Sequence, residues 1–580
     1  MQNIVSELTP LVATGQYKQA TVELQQYLEQ HPTDHEAWLQ LAEWAGLAGL
    51  AELQQQAQRQ YELVAYFNHR LYLASQALQQ RQFQHCREIL DSMLSDVPGE
   101  FRALALYAEL AMACGDYETA TEIFETLHRH NFANTKTKHR AIQHMAKVKQ
   151  FNKAIDIGKD IPLPQLLEAP DTALAMAQSY LKTAQIDQAE RIYMQLQQDP
   201  RLRHFVLHLL GHLKTFAGDA EAAANYYQQA LAVHEDKTES YWHLANLKTY
   251  RFNEQQSERM LQLLQSPLAP QEKMYLLFAL AKMKEQKKQF AEACDYYQQA
   301  NRLRYKAGNN VRVHDSKQLR TFFSQQQFSD RSTAPSGLIF ILGMPRTGST
   351  LLEQMLASHP EIDASHEISE ISSIARLLES RKQDSSPYGL AQLSDAERHK
   401  LAQRYLDYVA PLRQQGRYLI DKLPANCNHI GLIKTLFPDA KIIETTRDPI
   451  ATGWSLYRHV FAEGHLYAND LEEIGQYYLN YEQMMQFWRH QLGPQLLTIA
   501  YEDLLQAPEQ HLLQITQYLE LDYHPDCLQF HQTQRSIQTP SAMQVRQPLY
   551  KTAMTDWQQV SEFLAPLIKK VESGQPTALS

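Results

Sequence analysis

The chain of 580 residues is long enough for two or more domains, and its hydrophobic content of 44% is sufficient to build a core in each. Its 65 acidic residues outnumber the 55 lysines and arginines, which gives a formal net charge of −10. This acidic excess argues against general binding to nucleic acid or to an anionic membrane surface.

The cysteines and the absence of long apolar runs indicate in which cellular compartment the protein lies. The cysteines are Cys86, Cys114, Cys294, Cys427 and Cys527. Their number is odd, their positions are scattered and no spacing matches a zinc site, so we expect reduced thiols and no metal ligands. The first residues lack a basic start followed by an apolar segment, and no run approaches the length of a membrane span. We therefore expect a soluble cytoplasmic protein.

An aromatic or apolar residue followed three positions later by a small residue recurs through the first half of the chain. The pairs are Tyr17/Ala20, Phe83/Cys86, Tyr117/Ala120, Phe151/Ala154, Ile186/Ala189, Ala220/Ala223 and Phe290/Ala293. From Phe83 to Ala220 the first members recur every 34 or 35 positions, which is the period of a tetratricopeptide helix pair. We predict an all-α tetratricopeptide-repeat superhelix over residues 1–322, whose concave surface binds a protein or peptide.

Helical periodicity is lost after the repeats. The segment from Ser324 to Gly337 gathers Ser, Gln, Pro and Gly just before an apolar run begins at Leu338. We place a linker at 323–336, a second domain at 337–570 and a C-terminal tail at 571–580.

The second domain begins with a strand, a glycine-containing turn and a helix. The apolar run Leu338 to Leu342 is followed by Gly343-Met-Pro-Arg-Thr-Gly-Ser-Thr350. Free backbone N–H groups at the start of a helix bind anions. A nucleotide triphosphatase needs a lysine before the final Ser or Thr, and this loop has Arg346 as its cation instead. The pattern favours a transferase that uses a phosphorylated donor over a kinase or NTPase, in a loop resembling a P-loop.

Further strands are predicted at Tyr418–Asp421, Ala440–Thr446 and Leu496–Tyr501, with helical periodicity between them. This alternation predicts an α/β domain with a parallel sheet, in which ligands bind beyond the carboxyl ends of the strands. Polar residues follow the strands at Arg346, Lys422, Arg447 and Tyr501. We expect these four side chains to line one anion site.

In sequence order, these motifs resemble the sulfotransferase fold, and most closely the protein-tyrosine sulfotransferases. The resemblance covers about residues 337–565 and rests on Pro345–Leu352 with His359-Pro360, Asp421-Lys-Leu-Pro424, Phe437–Ile443 leading to Arg447 and Ser455, Tyr501–Leu504, and Thr539–Pro548 followed by Trp557. It implies a sulfotransferase that uses 3′-phosphoadenosine 5′-phosphosulfate (PAPS), releases PAP and requires no metal.

The resemblance also implies roles for particular residues. The donor would be bound by Arg346, Thr347, Gly348, Ser349, Thr350, Arg447, Ser455, Tyr501, Ser541 and Arg546. Lys422 would contact the sulfuryl group, and Glu367 would act as the base. The adjacent His366 is the alternative base, because related small-molecule sulfotransferases use a histidine. A helix N-terminal cap is the non-catalytic interpretation of both residues.

Two departures from the tyrosine-sulfotransferase pattern bear on the acceptor. Ser369 and Ser373 stand where that family has arginines that attract acidic peptides, and His459 stands where it has another arginine. A protein or peptide hydroxyl, with tyrosine expected, is the leading hypothesis. A saccharide, lipid or small-molecule hydroxyl and a non-enzymatic repeat scaffold that binds nucleotide are the alternatives. The sequence leaves a homodimer open.

Overall fold

The computed structural model describes residues 4–131, 134–247, 249–304, 317–326, 335–365, 367–381, 386–461, 464–533, 545–549 and 554–574. The chain divides into two compact units, Met1–Thr183 and Ala184–Ser580. Within the described ranges, no helix combines the length and the apolar character needed to cross a membrane.

The first unit consists of paired helices. They are α1 Ile4–Ala13, α2 Tyr17–Gln30, α3 His35–Leu47, α4 Ala51–Gln79, α5 Phe83–Asp96, α6 Phe101–Ala113, α7 Tyr117–Arg129, α8 Thr135–Lys147, α9 Phe151–Gly158, α10 Leu163–Leu167 and α11 Pro170–Lys182. The small residues of the repeat pattern are fully buried, including Ala20, Cys86 and Ala120, so neighbouring helices approach closely there. The carboxylates of Asp34 and Asp116 cap α3 and α7 by accepting backbone N–H groups.

Helix pairs of the same kind continue into the second unit. They are α12 Ile186–Leu196, α13 Arg203–Ala217, α14 Ala220–Val233, α15 Glu239–Asn246, α16 Glu254–Leu264, α17 Pro270–Gln286 and α18 Phe290–Arg304. The pattern residues Ala189, Ala223 and Ala293 are again buried. The prediction of an all-helical repeat array is confirmed.

A five-stranded parallel sheet follows the repeat helices. Its strands are β1 Leu338–Gly343, β2 Ile362–Ala364, β3 Tyr418–Lys422, β4 Lys441–Thr446 and β5 Leu496–Ala500, in the order β2-β3-β1-β4-β5. Phe340 of β1 lies opposite Asp421 of β3 and Ile442 of β4. The predicted α/β fold with a parallel sheet is confirmed, and β1, which leads into the anion loop, is its central strand.

Helices cover the sheet and complete the second unit. They are α19 Lys317–Ser324, α20 Ser349–Leu356, α21 Glu370–Arg381, α22 Asp395–Val409, α23 Ile430–Leu436, α24 Pro449–Tyr457, α25 Leu471–Leu492, α26 Tyr501–Gln506, α27 Pro508–Tyr518 and α28 Ala565–Glu572. Helix α20 follows β1, and α24 follows β4. Both helices therefore begin at the carboxyl edge of the sheet, where ligands bind in folds of this kind.

One hydrophobic core joins the last repeat helices to the sheet domain. It contains Trp242 and Phe278 of the repeats together with Phe340 of β1. The rings of Tyr297 on α18 and Trp454 on α24 lie edge to face with centroids 5.5 Å apart. The repeat helices of this unit thus pack against the parallel sheet and share one hydrophobic core with it. The boundaries at 322 and 337 stay a prediction.

Candidate active site

The loop between β1 and α20 is shaped by glycine. Gly348 has φ 91°, and a Cβ atom at this position would lie 2.4 Å from a ring carbon of Tyr501. A side chain here would therefore be strained twice, by the backbone conformation and by collision. Arg346 also has a positive φ of 72°, which is uncommon for a residue with a side chain and is found at ligand-binding loops.

Four of the predicted donor-binding residues are connected to one another. Arg346 Nε donates to Ser455 Oγ at 3.1 Å, and Arg447 Nη1 donates to the Arg346 carbonyl at 3.1 Å. The Arg447 guanidinium also lies over the Tyr501 ring, 5.0 Å from its centroid. The structure brings together residues from three strand ends, Arg346, Arg447 and Tyr501, with Ser455 from the helix after β4.

Three of these residues, Arg346, Arg447 and Tyr501, line a pocket at the carboxyl edge of the sheet. Its lining combines the anion loop with apolar groups from the C-terminal part of the domain, and comprises Arg346, Gly348, Ser349, Thr350, Leu351, Arg447, Tyr501, Leu505, Phe530, Val545, Gln547, Pro548 and Leu549. Two guanidinium groups, the N-terminus of α20 and an aromatic ring provide sites for phosphate and for a planar base. These groups therefore fit a phosphorylated nucleotide such as PAPS, with the positive charge supplied by the arginines.

Lys422 lies at the end of β3 between two carboxylates. Its Nζ is 2.8 Å from Glu367 Oε1 and 3.8 Å from Glu353 Oε2. The side chains of Lys422 and Glu353 are only 1% and 2% exposed, whereas that of Glu367 is 42% exposed. The lysine is therefore held rigidly in the protein, and Glu367 is the partner that an incoming acceptor can reach.

The preceding residue, Asp421, is fully buried and held by neutral donors. The Tyr405 hydroxyl donates to Asp421 Oδ2 at 2.7 Å, and the Asn426 amide donates to Oδ1 at 3.2 Å. Burial raises the pKa of Asp421 to about 7, although these hydrogen bonds and the charge of Lys422 oppose the rise. Asp421 therefore holds the end of β3 to Tyr405 and Asn426.

Other predicted residues occupy different places. Thr347 is buried, and its hydroxyl donates to the Met344 carbonyl and lies 2.8 Å from Thr445 Oγ1. It fastens the loop to β4. Arg546 Nη2 donates to the Phe216 carbonyl of α13 at 3.0 Å, beside the cavity residues Val545 and Gln547. His366 and Ser541 lie outside the described residues.

Sequence reasoning did not find several charged residues near the site. Glu353 is buried in α20, where nothing in the local sequence pattern distinguishes it. Lys282 of α17 is another. Burial and the charges of Arg458 and Arg346 lower its pKa to about 8, against the effect of Glu285. Lys282 therefore lies within electrostatic range of the anion loop, and its origin in a repeat helix gives no sequence signal.

His459 is half-buried and lies close to Arg346 and Lys282. Burial lowers its pKa well below the usual range, with Arg346 and Lys282 as the strongest charged contributors. The neighbouring Arg458 forms ion pairs with Glu285 of α17 and with Asp556. Arg458 thus joins the repeat helices to the sheet domain, and His459 is the neutral residue next to the loop arginine.

Comparison with known proteins identifies the second half of the chain. Residues 338–525 match the sulfotransferase family Sulfotransfer_3. An uncharacterized protein of Aquifex aeolicus is 29% identical over 386 residues, which cover 64% of this chain and 50% of that protein. A protein-tyrosine sulfotransferase of Drosophila melanogaster is 27% identical over 246 residues, covering 38% of this chain and 46% of that protein. The chain thus spans about half the length of these relatives.

Solved structures also match parts of the chain, with low TM-scores. The sulfotransferase domain of the Synechococcus PCC 7002 olefin synthase shares 22% identity with a TM-score of 0.32, and the match covers 44% of this chain and all of that domain. The P58(IPK) TPR domain shares 13% identity with a TM-score of 0.18, over 53% of this chain and 92% of that domain. From the family match and the observed fold, this chain carries a domain of the sulfotransferase family C-terminal to tetratricopeptide-type repeats.

Proposed function

We propose that the chain is a PAPS-dependent sulfotransferase that modifies a hydroxyl of a protein or peptide, with tyrosine as the expected residue. The observation that carries the proposal is the ion pair between Lys422 and the accessible Glu367, at the strand end next to the arginine-containing anion loop. Acid–base and electrostatic groups for a group transfer are thereby placed side by side.

The donor would bind in the cavity above the anion loop. Its 5′-phosphosulfate would contact the N–H groups that open α20 together with Arg346, and Arg447 and Ser455 would recognise the 3′-phosphate. Tyr501 offers its ring to the adenine side. The link from Arg447 to the Arg346 carbonyl supports a site in which the two anionic groups are recognised together.

The transfer needs two contributions from the protein, a base for the acceptor and a positive charge at the leaving oxygen. The acceptor oxygen attacks sulfur while the bond from sulfur to the bridging phosphate oxygen breaks, and PAP leaves with the bonding electron pair. Glu367 takes the acceptor proton, and Lys422 stabilises the negative charge on the bridging oxygen. Because Lys422 is buried and Glu367 is not, the lysine side would face the donor and the glutamate side the acceptor.

The repeats support a macromolecular acceptor. An array of this kind presents an extended surface that suits a protein or peptide, and its last helices share a core with the sheet domain. We infer that the repeats recruit the acceptor.

All five cysteines are free thiols, which supports a reducing, cytoplasmic setting. They are Cys86, Cys114, Cys294, Cys427 and Cys527.

A small acceptor is the second candidate. Ser369 and Ser373 stand at the start of α21 where tyrosine sulfotransferases have arginines, and the Ser373 hydroxyl donates to the Ser369 carbonyl instead of offering a positive charge. An acidic peptide would gain no attraction from these two positions. A saccharide, lipid or small-molecule hydroxyl would not need such a charge.

Calorimetry tests the donor assignment. The purified chain is titrated with PAP, ATP and adenosine 5′-phosphosulfate in the presence of chelator, and the titrations are repeated with Arg447→Ala. Arg417→Ala is the matched control, because that arginine is half-exposed and pairs with Glu520. We expect PAP to bind best and to lose at least tenfold in affinity only in Arg447→Ala. Equal binding of nucleotides with and without the 3′-phosphate would overturn the sulfotransferase proposal and favour the nucleotide-binding scaffold.

A transfer assay tests the acceptor. The chain and radiolabelled PAPS are incubated with cell extract, and labelled material is separated into protein, saccharide and lipid fractions. Label on tyrosine after digestion of the protein fraction is the expected result. Label confined to the other fractions would leave the donor site intact and replace the peptide acceptor with the small-molecule alternative.

A further inference from the structure

Three histidines and one glutamate converge between two repeat helices of the second unit. His208 and His212 lie one turn apart on α13, and Glu239 and His243 lie one turn apart on α15. One ligand-type atom from each of the four residues lies within 4.8 Å of the others. The spacing of four residues places both members of each pair on the same face of their helix, so two facing helices present four ligands to one point.

The distances suit a small cation. His208 Nε2 lies 3.0 Å from His212 Nε2 and 3.7 Å from Glu239 Oε2, and His243 Nε2 lies 3.7 Å from Glu239 Oε1. Four ligands at about 2.0–2.1 Å from a tetrahedral Zn²⁺ ion are separated from each other by about 3.3 Å. The three separations given above, 3.0, 3.7 and 3.7 Å, lie on either side of that value. Only small side-chain movements are therefore needed for coordination.

The remaining polar atoms of the ligands have partners that fix the ring orientations. His208 Nδ1 is 2.9 Å from Ser240 Oγ, and His212 Nδ1 is 3.4 Å from the Tyr227 hydroxyl. With Nδ1 of two histidines engaged in this way, their Nε2 atoms are directed at the centre of the cluster. Such outer hydrogen bonds orient metal-binding histidines in known sites.

We propose that His208, His212, Glu239 and His243 bind one divalent transition-metal ion, with Zn²⁺ as the expected ion. Three imidazole nitrogens and one carboxylate oxygen favour zinc over Mg²⁺ or Ca²⁺, which prefer oxygen ligands. Four protein ligands would complete a tetrahedral site, which is the pattern of structural zinc. The proposal does not depend on the proposed sulfotransferase activity.

The position of the cluster indicates what the ion would stabilise. Helix α13 ends near Phe216, whose carbonyl accepts the hydrogen bond from Arg546. Helix α15 carries Trp242, whose ring centroid lies 6.0 Å from that of His459. The ion would hold together two repeat helices that contact the sheet domain, one beside the nucleotide cavity and one beside the loop arginine. The ion would have a structural role and take no part in sulfuryl transfer.

Metal analysis of the full chain tests the proposal. Tag-free protein is stripped with chelator, equilibrated with Zn²⁺, dialysed and assayed for bound zinc by elemental analysis. We expect one zinc per chain and a higher melting temperature with zinc than with chelator. Replacement of zinc by Co²⁺ should give the intense visible bands of a tetrahedral site with nitrogen and oxygen ligands.

Variants assign the metal to these residues. Glu239→Gln and His212→Gln should each lose most of the bound zinc and the zinc-dependent rise in melting temperature. His204→Ala is the matched control, because this histidine lies on the same helix one turn from His208 and bonds to the Ala230 carbonyl. It should bind zinc like the original chain.

Three results would overturn the proposal. One is less than about a tenth of an equivalent of zinc in the original chain after dialysis. Another is equal uptake by the original chain and the two cluster variants, and the third is a cobalt spectrum with sulfur charge-transfer bands, which would assign the ion to a cysteine. The cobalt spectrum uses the original chain, so it decides the question even where a variant fails to fold.

Discussion

The chemistry of the site depends on how one lysine is buried. Lys422 is 1% exposed and is flanked by a buried glutamate and an accessible one. A buried lysine is stable as a cation only when it is paired. Glu353 and Glu367 supply this pairing, and in the proposed mechanism the accessible Glu367 takes the acceptor proton. The roles of the two glutamates follow from their different exposure.

Lys422→Met is expected to lower kcat by about 10²- to 10³-fold, because it removes the stabilisation of charge on the leaving oxygen. Initial rates at saturating PAPS and acceptor measure this loss. Lys434→Met is the matched control, because Lys434 is also buried but donates to the Pro438 and Ala440 carbonyls. That variant should lose stability and keep the turnover number of its folded fraction. An equal fall in kcat in both variants would contradict the role given to Lys422.

Glu367→Gln separates the two candidate bases. It should lower kcat by about 10²- to 10⁴-fold with little change in PAP affinity, since a positioned base is lost while the donor cavity is intact. Single-turnover rates and PAP calorimetry measure the two effects. His366→Asn is the comparison and should change kcat less than fivefold. The opposite order of effects would make His366 the base.

Asp421 gives the fold a pH dependence of unusual sign. Its pKa is raised by burial to about 7 in the folded chain, whereas an unfolded aspartate titrates near 4. The folded state therefore binds more protons between these values, and this contribution to stability is present at low pH and lost as pH rises toward and through 7. For each protein, the melting temperature at pH 8 is compared with that at pH 5. The change from pH 5 to pH 8 should be more favourable by a few degrees in Asp421→Asn than in the original chain. Parallel pH profiles for the two proteins would contradict this.

At the scale of the element, the anion site is a strand, a loop and a helix held by their neighbours. Thr347 ties the loop to β4, Arg346 reaches Ser455 on α24, and Gly348 packs against Tyr501 on α26. Contacts with three other elements therefore hold the loop and the N-terminus of α20 at the cavity. The proposed anion binding depends on this assembly and not on the loop sequence alone.

Gly348→Ala should weaken PAP binding by at least tenfold. The added Cβ meets the Tyr501 ring at 2.4 Å, so the ring or the loop must move. Gly464→Ala is the matched control, because Gly464 has a similar φ of 81° but no atom within 4 Å of its added Cβ. Calorimetry with PAP compares the two variants. An equal loss in both would show that backbone strain, and not the contact with Tyr501, controls the site.

At the scale of the whole molecule, the sheet domain has one core of its own and shares a second core with the repeat helices. Trp242, Phe278 and Tyr297 belong to the same buried cluster as Phe340 and Trp454. Phe323, at the start of the predicted linker, is also buried, with its ring 5.2 Å from that of Trp488. The repeat helices after Ala184 therefore supply part of the hydrophobic interior of the transferase-like domain.

Two fragments test this continuity. A fragment of residues 184–580 should fold and bind PAP within a few-fold of the full chain, because it keeps the whole cluster. A fragment of residues 337–580 should aggregate, because it exposes the apolar surface that Trp242, Phe278 and Tyr297 cover. Size-exclusion chromatography and PAP calorimetry compare them. A soluble 337–580 fragment with full PAP affinity would show that the predicted boundary at 337 is an independent folding boundary.

The sequence by itself determined the features that depend on neighbours along the chain. The repeat period is set by the length of a helix pair, and the strand, glycine turn and helix of the anion loop occupy consecutive residues. The strand ends could also be assigned, because parallel strands bring their carboxyl ends to one edge. Arg346, Lys422, Arg447 and Tyr501 were located in this way.

Only the tertiary structure decided which distant side chains meet. The contact of Arg346 with Ser455 joins two elements, and the hydrogen bond of Arg546 to Phe216 joins the sheet domain to a repeat helix. Glu353 likewise reaches Lys422 from α20. The histidine cluster is the same case. Its four side chains come from two helices, and they form a ligand set only because the fold brings α13 and α15 near each other. Such contacts depend on the relative placement of whole elements, which local spacing does not encode.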